Sequence, residues 1–330
     1  MKRTRALSMF SGGLDSILAT KLIMDQDIDV EAINFQGFFC SCKGSGLNVA
    51  ETAKQLGVPL KVVTVENDYL AMLRNPKHGY GKNMNPCIDC KIFMLKNAKK
   101  YARQIGAAFI FTGEVLNERP MSQHFQALKM IEEESGLEGR LLRPLSAKLL
   151  PETIVEKKGI VRRSQLLGIR GRSRKPQIKL AKELGISSFP SPAGGCLLTE
   201  VEFSARLRDL FNHRKRFSVE DVALLRLGRH FRFGENKIIV GRDEKENKTL
   251  LKEKRRHDLV FEASTTPGPT TILQGKKTKN AIELAASLTA FYSDRETDTV
   301  RVSYGKDRLD KSMIAKAPSQ SRVENLRVWG

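Results

Sequence analysis

The chain opens on short apolar runs, each followed by a segment with helical spacing. Ala6-Leu7-Ser8-Met9-Phe10 is one such run. It leads into Ser11-Gly12-Gly13-Leu14-Asp15-Ser16, after which Leu18, Leu22 and Ile23 fall on one side of a helix. Val30 to Phe35 predicts a second strand. Asn48 to Leu56 predicts a helix stopped by Gly57. Leu60 to Val65, rich in β-branched residues, predicts a third strand. Cys90 to Ile105 reads as helix, Ala107 to Thr112 as a buried strand, and Leu141 to Leu145 as a fifth strand. Repeated βα units imply an α/β fold, a parallel sheet with helices on both faces. Ligands of such sheets sit beyond the carboxyl ends of the strands. The glycine turn, Phe35 to Cys42, and Thr112-Gly113-Glu114 all lie at such ends, so they are expected to line one cleft.

The pattern changes after Ser187 to Gly195, which holds Pro190 and Pro192. Val201 to Phe211 and Val219 to Leu225 read as helices. Lys237 to Val240, Leu259 to Phe261 and Thr270 to Leu273 read as short strands. Lys279 to Phe291 reads as helix and Thr299 to Tyr304 as strand. This is a smaller α+β module. The stretch from Lys306 is polar and is expected to be a mobile tail. The expected division is therefore 1–199, 200–305 and a tail at 306–330.

Hydrophobic residues at 40% and charged residues at 28% suit a soluble globular chain. No run of 18 apolar residues offers a membrane span. The apolar run near the N-terminus is too short for a signal peptide, so a cytoplasmic location is expected. The net charge of +20 is unevenly placed. Residues 140–200 hold 13 Lys/Arg against 4 Asp/Glu, and residues 201–330 hold 27 against 18. A near-neutral front followed by a basic back suggests an ATP-handling domain joined to a polyanion-binding surface.

In a strand, glycine turn, helix unit, free backbone N–H groups and the helix N-terminus face one point, which suits phosphate. Asp15 is out of place there unless a cation lies between it and the phosphates, so Mg²⁺ is expected. No Gly-x-x-x-x-Gly-Lys-Ser/Thr occurs, which excludes a Walker P-loop. Five cysteines are present: Cys40, Cys42, Cys87, Cys90 and Cys196. Cys87 and Cys90 form a Cys-x-x-Cys at the start of a helix, a position that favours thiolate. Cys196 is flanked by Gly194 and Gly195, which leaves its thiol accessible. Three chemistries stay open for these thiols. Zinc would need a second pair, such as Cys40 and Cys42. A [4Fe–4S] cluster on Cys87, Cys90 and Cys196 would leave one iron open. A persulfide and disulfide route would need two thiols. The five histidines show no metal spacing.

Ser11 to Ser16 resembles the PP-loop signature of ATP-pyrophosphatases, which activate a substrate by adenylation and release pyrophosphate. Asn85-Pro86-Cys87-Ile88-Asp89-Cys90 resembles the cysteine motif of PP-loop tRNA thiolation enzymes. Thr112-Gly113-Glu114-Val115-Leu116, Ser122-Gln123 and Leu142-Arg143-Pro144-Leu145 are similar to the ThiI catalytic domain. Cys196 lies where that domain and the MnmA family carry a second catalytic cysteine. The back half resembles the RNA-binding NFACT-R domain, through Gly228-Arg229-His230-Phe231, Val240-Gly241-Arg242, Asn247 and Pro267-Gly268.

The resemblance implies an adenine nucleotide alpha hydrolase-like domain and ATP-dependent thiolation of a tRNA uridine. Cys87, Cys90, Cys196 and Asp15 would be catalytic. Ser11, Gly12, Gly13, Asp15 and Ser16 would hold pyrophosphate and Mg²⁺. Phe35, Thr112, Gly113 and Glu114 would face the adenosine and α-phosphate. Of the three thiol chemistries, the cluster is favoured. Arg162, Arg163, Arg170, Arg172, Arg174 and Lys175 are expected to face the RNA backbone. Against that resemblance, neither a ferredoxin-like and THUMP region ahead of the PP-loop nor a rhodanese domain after it is expected in this chain. Sulfur is therefore expected from sulfide or a cysteine desulfurase, and the NFACT-R-like module would take over the grip on tRNA. Homodimerisation is left open. The competing readings are a PP-loop RNA-modifying reaction with a nitrogen nucleophile, in which three thiols have no task, and a non-catalytic RNA-binding ATP sensor.

Overall fold

In the computed structural model, residues 3–37, 39, 49–65, 67–189 and 195–329 are described. They form two compact units, Met1–Thr199 and Glu200–Gly330. The first unit runs β1 (Arg5–Met9), α1 (Leu14–Met24), β2 (Asp29–Gln36), α2 (Val49–Gln55), β3 (Leu60–Thr64), α3 (Asn67–Arg74), α4 (Cys87–Gln104), β4 (Phe109–Thr112), α5 (Phe125–Ser135), β5 (Leu141–Leu142), α6 (Ile154–Lys157) and α7 (Lys175–Glu183). Its strands are all parallel, in the order β3-β2-β1-β4-β5.

The period of two along each strand splits the apolar residues between two cores. Ala6, Ala32, Phe109 and Phe111 pack with Leu14, Ile17 and Leu18 of α1. Leu7, Ile33 and Ile110 pack with Ile92 and Leu95 of α4. The sheet is therefore covered on both faces, the α/β arrangement the pattern predicts. Strand order reverses direction between β1 and β4, and a crevice opens at such a switch point beyond the strand ends. The glycine turn after β1 and Thr112-Gly113-Glu114 at the end of β4 flank that crevice.

Helices α3 and α5 are absent from the sequence reading. Each is short and buries a narrow stripe: Tyr69, Leu70 and Leu73 in α3, and Ala127, Leu128 and Ile131 in α5.

The second unit runs α8 (Val201–His213), α9 (Val219–Leu224), β6 (Arg229–Phe233), β7 (Asn236–Val240), α10 (Glu244–Glu253), β8 (Leu259–Ala263), β9 (Thr271–Gln274), α11 (Lys279–Phe291), β10 (Thr299–Gly305), β11 (Lys311–Lys316) and α12 (Gln320–Leu326). Six antiparallel strands lie in the order β11-β10-β8-β9-β7-β6. Leu284, Ala285 and Leu288 of α11 join Phe261, Leu273 and Val302 in its core.

The stretch from Lys306, expected to be a mobile tail, is folded. β11 pairs with β10 from Lys311 opposite Tyr304 to Lys316 opposite Thr299. An edge strand buries few side chains, and β11 buries only Ala315, so its composition looks like that of a tail. Val323, buried, and Leu326, partly buried, anchor the otherwise polar α12.

Candidate active site

The turn between β1 and α1 is built around two glycines. Gly12 has φ +76°, a region that L side chains rarely adopt, and a Cβ there would meet Val49 Cγ2 at 3.1 Å. Gly13 caps α1 without any side-chain hydrogen bond, so the helix N–H groups stay available to an anion. Ser11 and Ser16 brace the turn. Ser16 Oγ donates to the Gly13 carbonyl at 2.8 Å, and the two hydroxyls lie 3.2 Å apart.

Asp15 Oδ1 is buried and has no hydrogen-bond partner. Burial pushes its carboxyl above the usual range, against the pull of Arg174, Gln177 and Arg119. Gln177 on α7 lies close by. It is fully buried, and its amide completes no hydrogen bond. A buried carboxylate oxygen left open in a phosphate turn is a fit for a cation.

A cavity of about 230 Å³ opens from this turn. Ser11, Asp15 and Ser16 line one end. Phe35, Thr112, Gly113 and Glu114 also line it, as the sequence predicts, together with Lys91, Glu118 and Arg119, which it missed. Gly113 presses against the loop: a Cβ there would stand 2.5 Å from Asp15 C and Ser16 N.

The thiols converge from separate segments. Cys87 begins α4, and its Sγ lies 3.1 Å from Ser122 Oγ. Tyr69 Oη donates to Cys90 Sγ at 3.3 Å. Asp89 between them accepts from the backbone N–H groups of Lys77 and His78, which ties down the preceding loop. The Cys196 segment docks onto the residues just ahead of Cys87. Met84 N–H donates to the Leu198 carbonyl at 3.0 Å, and Asn83 Nδ2 to the Thr199 carbonyl at 2.7 Å. Leu197 N–H donates to the Phe39 carbonyl at 2.8 Å.

Burial pushes the Cys90 thiol up to about 12, with charge on Cys87 and Cys196 adding to it. The expectation that a helix N-terminus would favour thiolate therefore does not hold for Cys90. Burial and two neighbouring thiols outweigh the helix end. Among the described residues, no three His, Cys, Asp or Glu side chains gather closely enough for one metal ion. Cys40 and Cys42 lie outside the described residues.

One side chain links thiols and cavity. Lys91, next to Cys90, pairs with Glu114, and Arg143 Nε meets the other oxygen of Glu114 at 3.0 Å. Burial alone would raise the Glu114 carboxyl, but Lys91 and Arg143 hold it down at about 2. A carboxylate with a depressed value stabilises the fold above its unfolded value and loses that contribution as pH falls. Glu114→Gln is expected to cost on the order of 3 kcal/mol at neutral pH. The difference in melting temperature from the unaltered chain should shrink between about pH 5 and pH 2, as followed by circular dichroism.

The basic residues expected to face RNA separate into groups. Arg162, Arg170, Arg172 and Lys175 are exposed. Arg163 instead braces Glu156 at 2.6 Å and the Leu150 carbonyl at 3.0 Å, because Glu156 is buried and needs a counter-charge. Arg174 is half-buried and acts on Asp15, which places it with the phosphate turn.

A parallel sheet with a Gly-Gly phosphate turn at its switch point, an open buried carboxylate and a shared nucleotide-sized cavity defines the PP-loop nucleotide-binding class. Within it, the chain belongs to the family described as thiamine biosynthesis protein (ThiI), whose model matches residues 2–181. Residues 228–327 match the NFACT protein RNA binding domain. Cys196 lies outside both matched segments.

The tRNA-specific 2-thiouridylase MnmA of Pelobacter propionicus is 32% identical over 113 residues, 31% of each chain. That of Bacillus thuringiensis is 25% identical over 214 residues, 61% of this chain and 54% of the relative. The chain thus spans about half or less of these relatives. A 4-thiouridine synthetase solved as an RNA complex with bound ATP is 22% identical, with 56% of this chain and 52% of that one covered and a TM-score of 0.36. Among the described residues, no helix is long and apolar enough to cross a membrane.

Proposed function

We propose that this chain is an ATP-dependent tRNA sulfurtransferase that replaces a uridine carbonyl oxygen with sulfur, giving 4-thiouridine or 2-thiouridine. The observation that carries this reading is the docking of the Cys196 segment onto residues 83–84, just ahead of Cys87 and Cys90, with Lys91 reaching from those thiols into the nucleotide cavity. A nitrogen-nucleophile reaction leaves that gathering of thiols without a task.

Oxygen is a poor leaving group from uracil. The carbonyl oxygen attacks the α-phosphorus of ATP, an O–P bond forms, and pyrophosphate departs. Ser11, Gly12, Gly13 and Ser16 hold the departing phosphates with backbone and hydroxyl donors. Asp15 would hold Mg²⁺, which neutralises their charge. Phe35 and Thr112-Gly113-Glu114 face the adenosine and α-phosphate end. Sulfide then attacks the activated carbon beside Cys196; persulfide sulfur from a cysteine desulfurase would first be reduced to sulfide by an external dithiol, which leaves as its disulfide. The C–O bond breaks, and AMP leaves with the oxygen.

Cys87, Cys90 and Cys196 would hold a [4Fe–4S] cluster, whose open iron supplies a place for sulfide. The donor set fits. Burial and charge on Cys87 and Cys196 push the Cys90 thiol up, so a cationic centre held by these residues would favour its thiolate. Arg162, Arg170, Arg172, Lys175 and the second unit would position tRNA phosphates.

The test is anaerobic reaction of the iron-reconstituted chain with ATP, Mg²⁺, sulfide and unmodified tRNA, followed by nucleoside mass spectrometry. One AMP per thiouridine is expected; AMP release with an aminated or no product would overturn the proposal. Broad absorbance near about 400 nm should accompany reconstitution and fall in each Cys→Ser variant. Asp15→Asn is expected to slow ATP–pyrophosphate exchange by about a hundredfold without disturbing the cluster absorbance.

A further inference from the structure

The second unit carries two cation–ring pairs on one sheet edge. β6 places the Arg229 guanidinium 4.5 Å above the Tyr292 ring, just past α11. After α12, Arg327 lies 3.9 Å over the Trp329 ring. These pairs are fastened together. Arg327 bridges to Phe231 of β6, and Val328 N–H donates to the His230 carbonyl at 2.9 Å. Trp329 Nε1 donates to the Glu324 carbonyl at 3.3 Å, so the indole is held in place while 49% exposed.

The charges are unevenly matched. Arg206 pairs with Glu202, and Arg242 with Glu246. Among the described residues, Arg229 and Arg327 have no carboxylate partner. Arg229 donates to the Gly241 carbonyl at 3.0 Å.

We propose that Trp329 and Tyr292, with Arg229 and Arg327 on their faces, form a clamp that stacks unpaired bases of the bound tRNA. This rests on the reading that the chain acts on tRNA; Arg229, Tyr292 and Arg327 lie within the matched RNA-binding segment, and Trp329 lies two residues beyond it. Proteins take single-stranded RNA by stacking bases on aromatic rings and guanidinium planes while free arginines meet the phosphates. An indole braced by a cation on one face and by a hydrogen bond at its edge is pre-organised for that task.

Trp329 is the only tryptophan in the chain, so intrinsic emission reports this position alone. Titrating the full chain with tRNA should quench that emission, whereas polyphosphate, which has charge but no bases, should not. Trp329→Ala should weaken the tRNA Kd by about fivefold or more, and Trp329→Phe should restore most of it. Arg229→Ala and Arg327→Ala should each lower the slope of log Kd against log salt by about one. Retarded tRNA with unchanged emission and unchanged Trp329→Ala affinity would overturn the clamp, as would equal quenching by polyphosphate. Failure of the unaltered chain to retard tRNA at all would overturn the tRNA reading itself, and the clamp with it.

Discussion

Cys196→Ser is expected to abolish thiolation, by about a thousandfold or more, while ATP–pyrophosphate exchange stays within a few fold of the unaltered rate. The two halves of the proposed reaction use different residues. Adenylation draws on the turn at Ser11 to Ser16 and on the Thr112-Gly113-Glu114 end of β4. Sulfur delivery draws on three thiols that none of those residues supplies. The exchange of sulfur for oxygen is nearly isosteric, and the backbone bonds that dock this segment run through Leu197, Leu198 and Thr199. The variant should therefore fold and bind ATP. AMP and pyrophosphate assays, with thionucleosides counted by mass spectrometry, separate the two steps. Thiouridine formation that survives replacement of Cys87, Cys90 and Cys196 in turn would remove sulfur transfer from this site.

How much of this could be read beforehand follows from how each feature is encoded. Strand β4 is an apolar run, β1 is nearly so, β3 is rich in β-branched residues, and β2 sets Val30, Ala32, Ile33 and Phe35 among polar positions, so local pattern places all four. The glycine turn is equally local, since Gly12 needs its φ and Gly13 opens the helix. β6 and α10 were missed for the opposite reason. Arg229–Phe233 mixes arginines, a histidine and phenylalanines without a clean period of two, and α10 buries only Leu250. Their structure is set by neighbours rather than by their own composition.

The same distinction runs through the site. Cys87 and Cys90 announce themselves by spacing. The return of residues 197–199 to Asn83 and Met84 depends on hydrogen bonds across more than a hundred residues, and no periodicity records that. The Lys91–Glu114–Arg143 chain and the approach of Gln177 and Arg174 to Asp15 are likewise products of the fold. Arg174 shows the limit of charge counting: a basic run is visible in the sequence, but which of its members turns inward is not.

Gly113→Ala is expected to cripple nucleotide binding while leaving the fold standing. The conflict is purely steric, because Gly113 does not need a left-handed backbone. A methyl group there would stand 2.5 Å from Asp15 C and Ser16 N, and 2.7 Å from Asp15 O. Those are main-chain atoms at the start of α1, so no side chain can swing aside. Either β4 or the phosphate turn must move, at a cost of about 1–3 kcal/mol for an overpacked contact. α1 is anchored by Leu14, Ile17 and Leu18, and β4 by Phe109 and Phe111. The turn between them is the part free to yield, and its displacement misaligns the phosphate donors. The Kd for ATP should rise by tenfold or more on that scale, as measured by isothermal titration, with far-ultraviolet circular dichroism unchanged. Gly168→Ala is the control, because a Cβ there meets Lys148 Cβ at an ordinary 3.5 Å. ATP binding by Gly113→Ala indistinguishable from that of the control would mean that the β4 turn does not shape the phosphate site, and the cavity would lose its claim to be the place of adenylation.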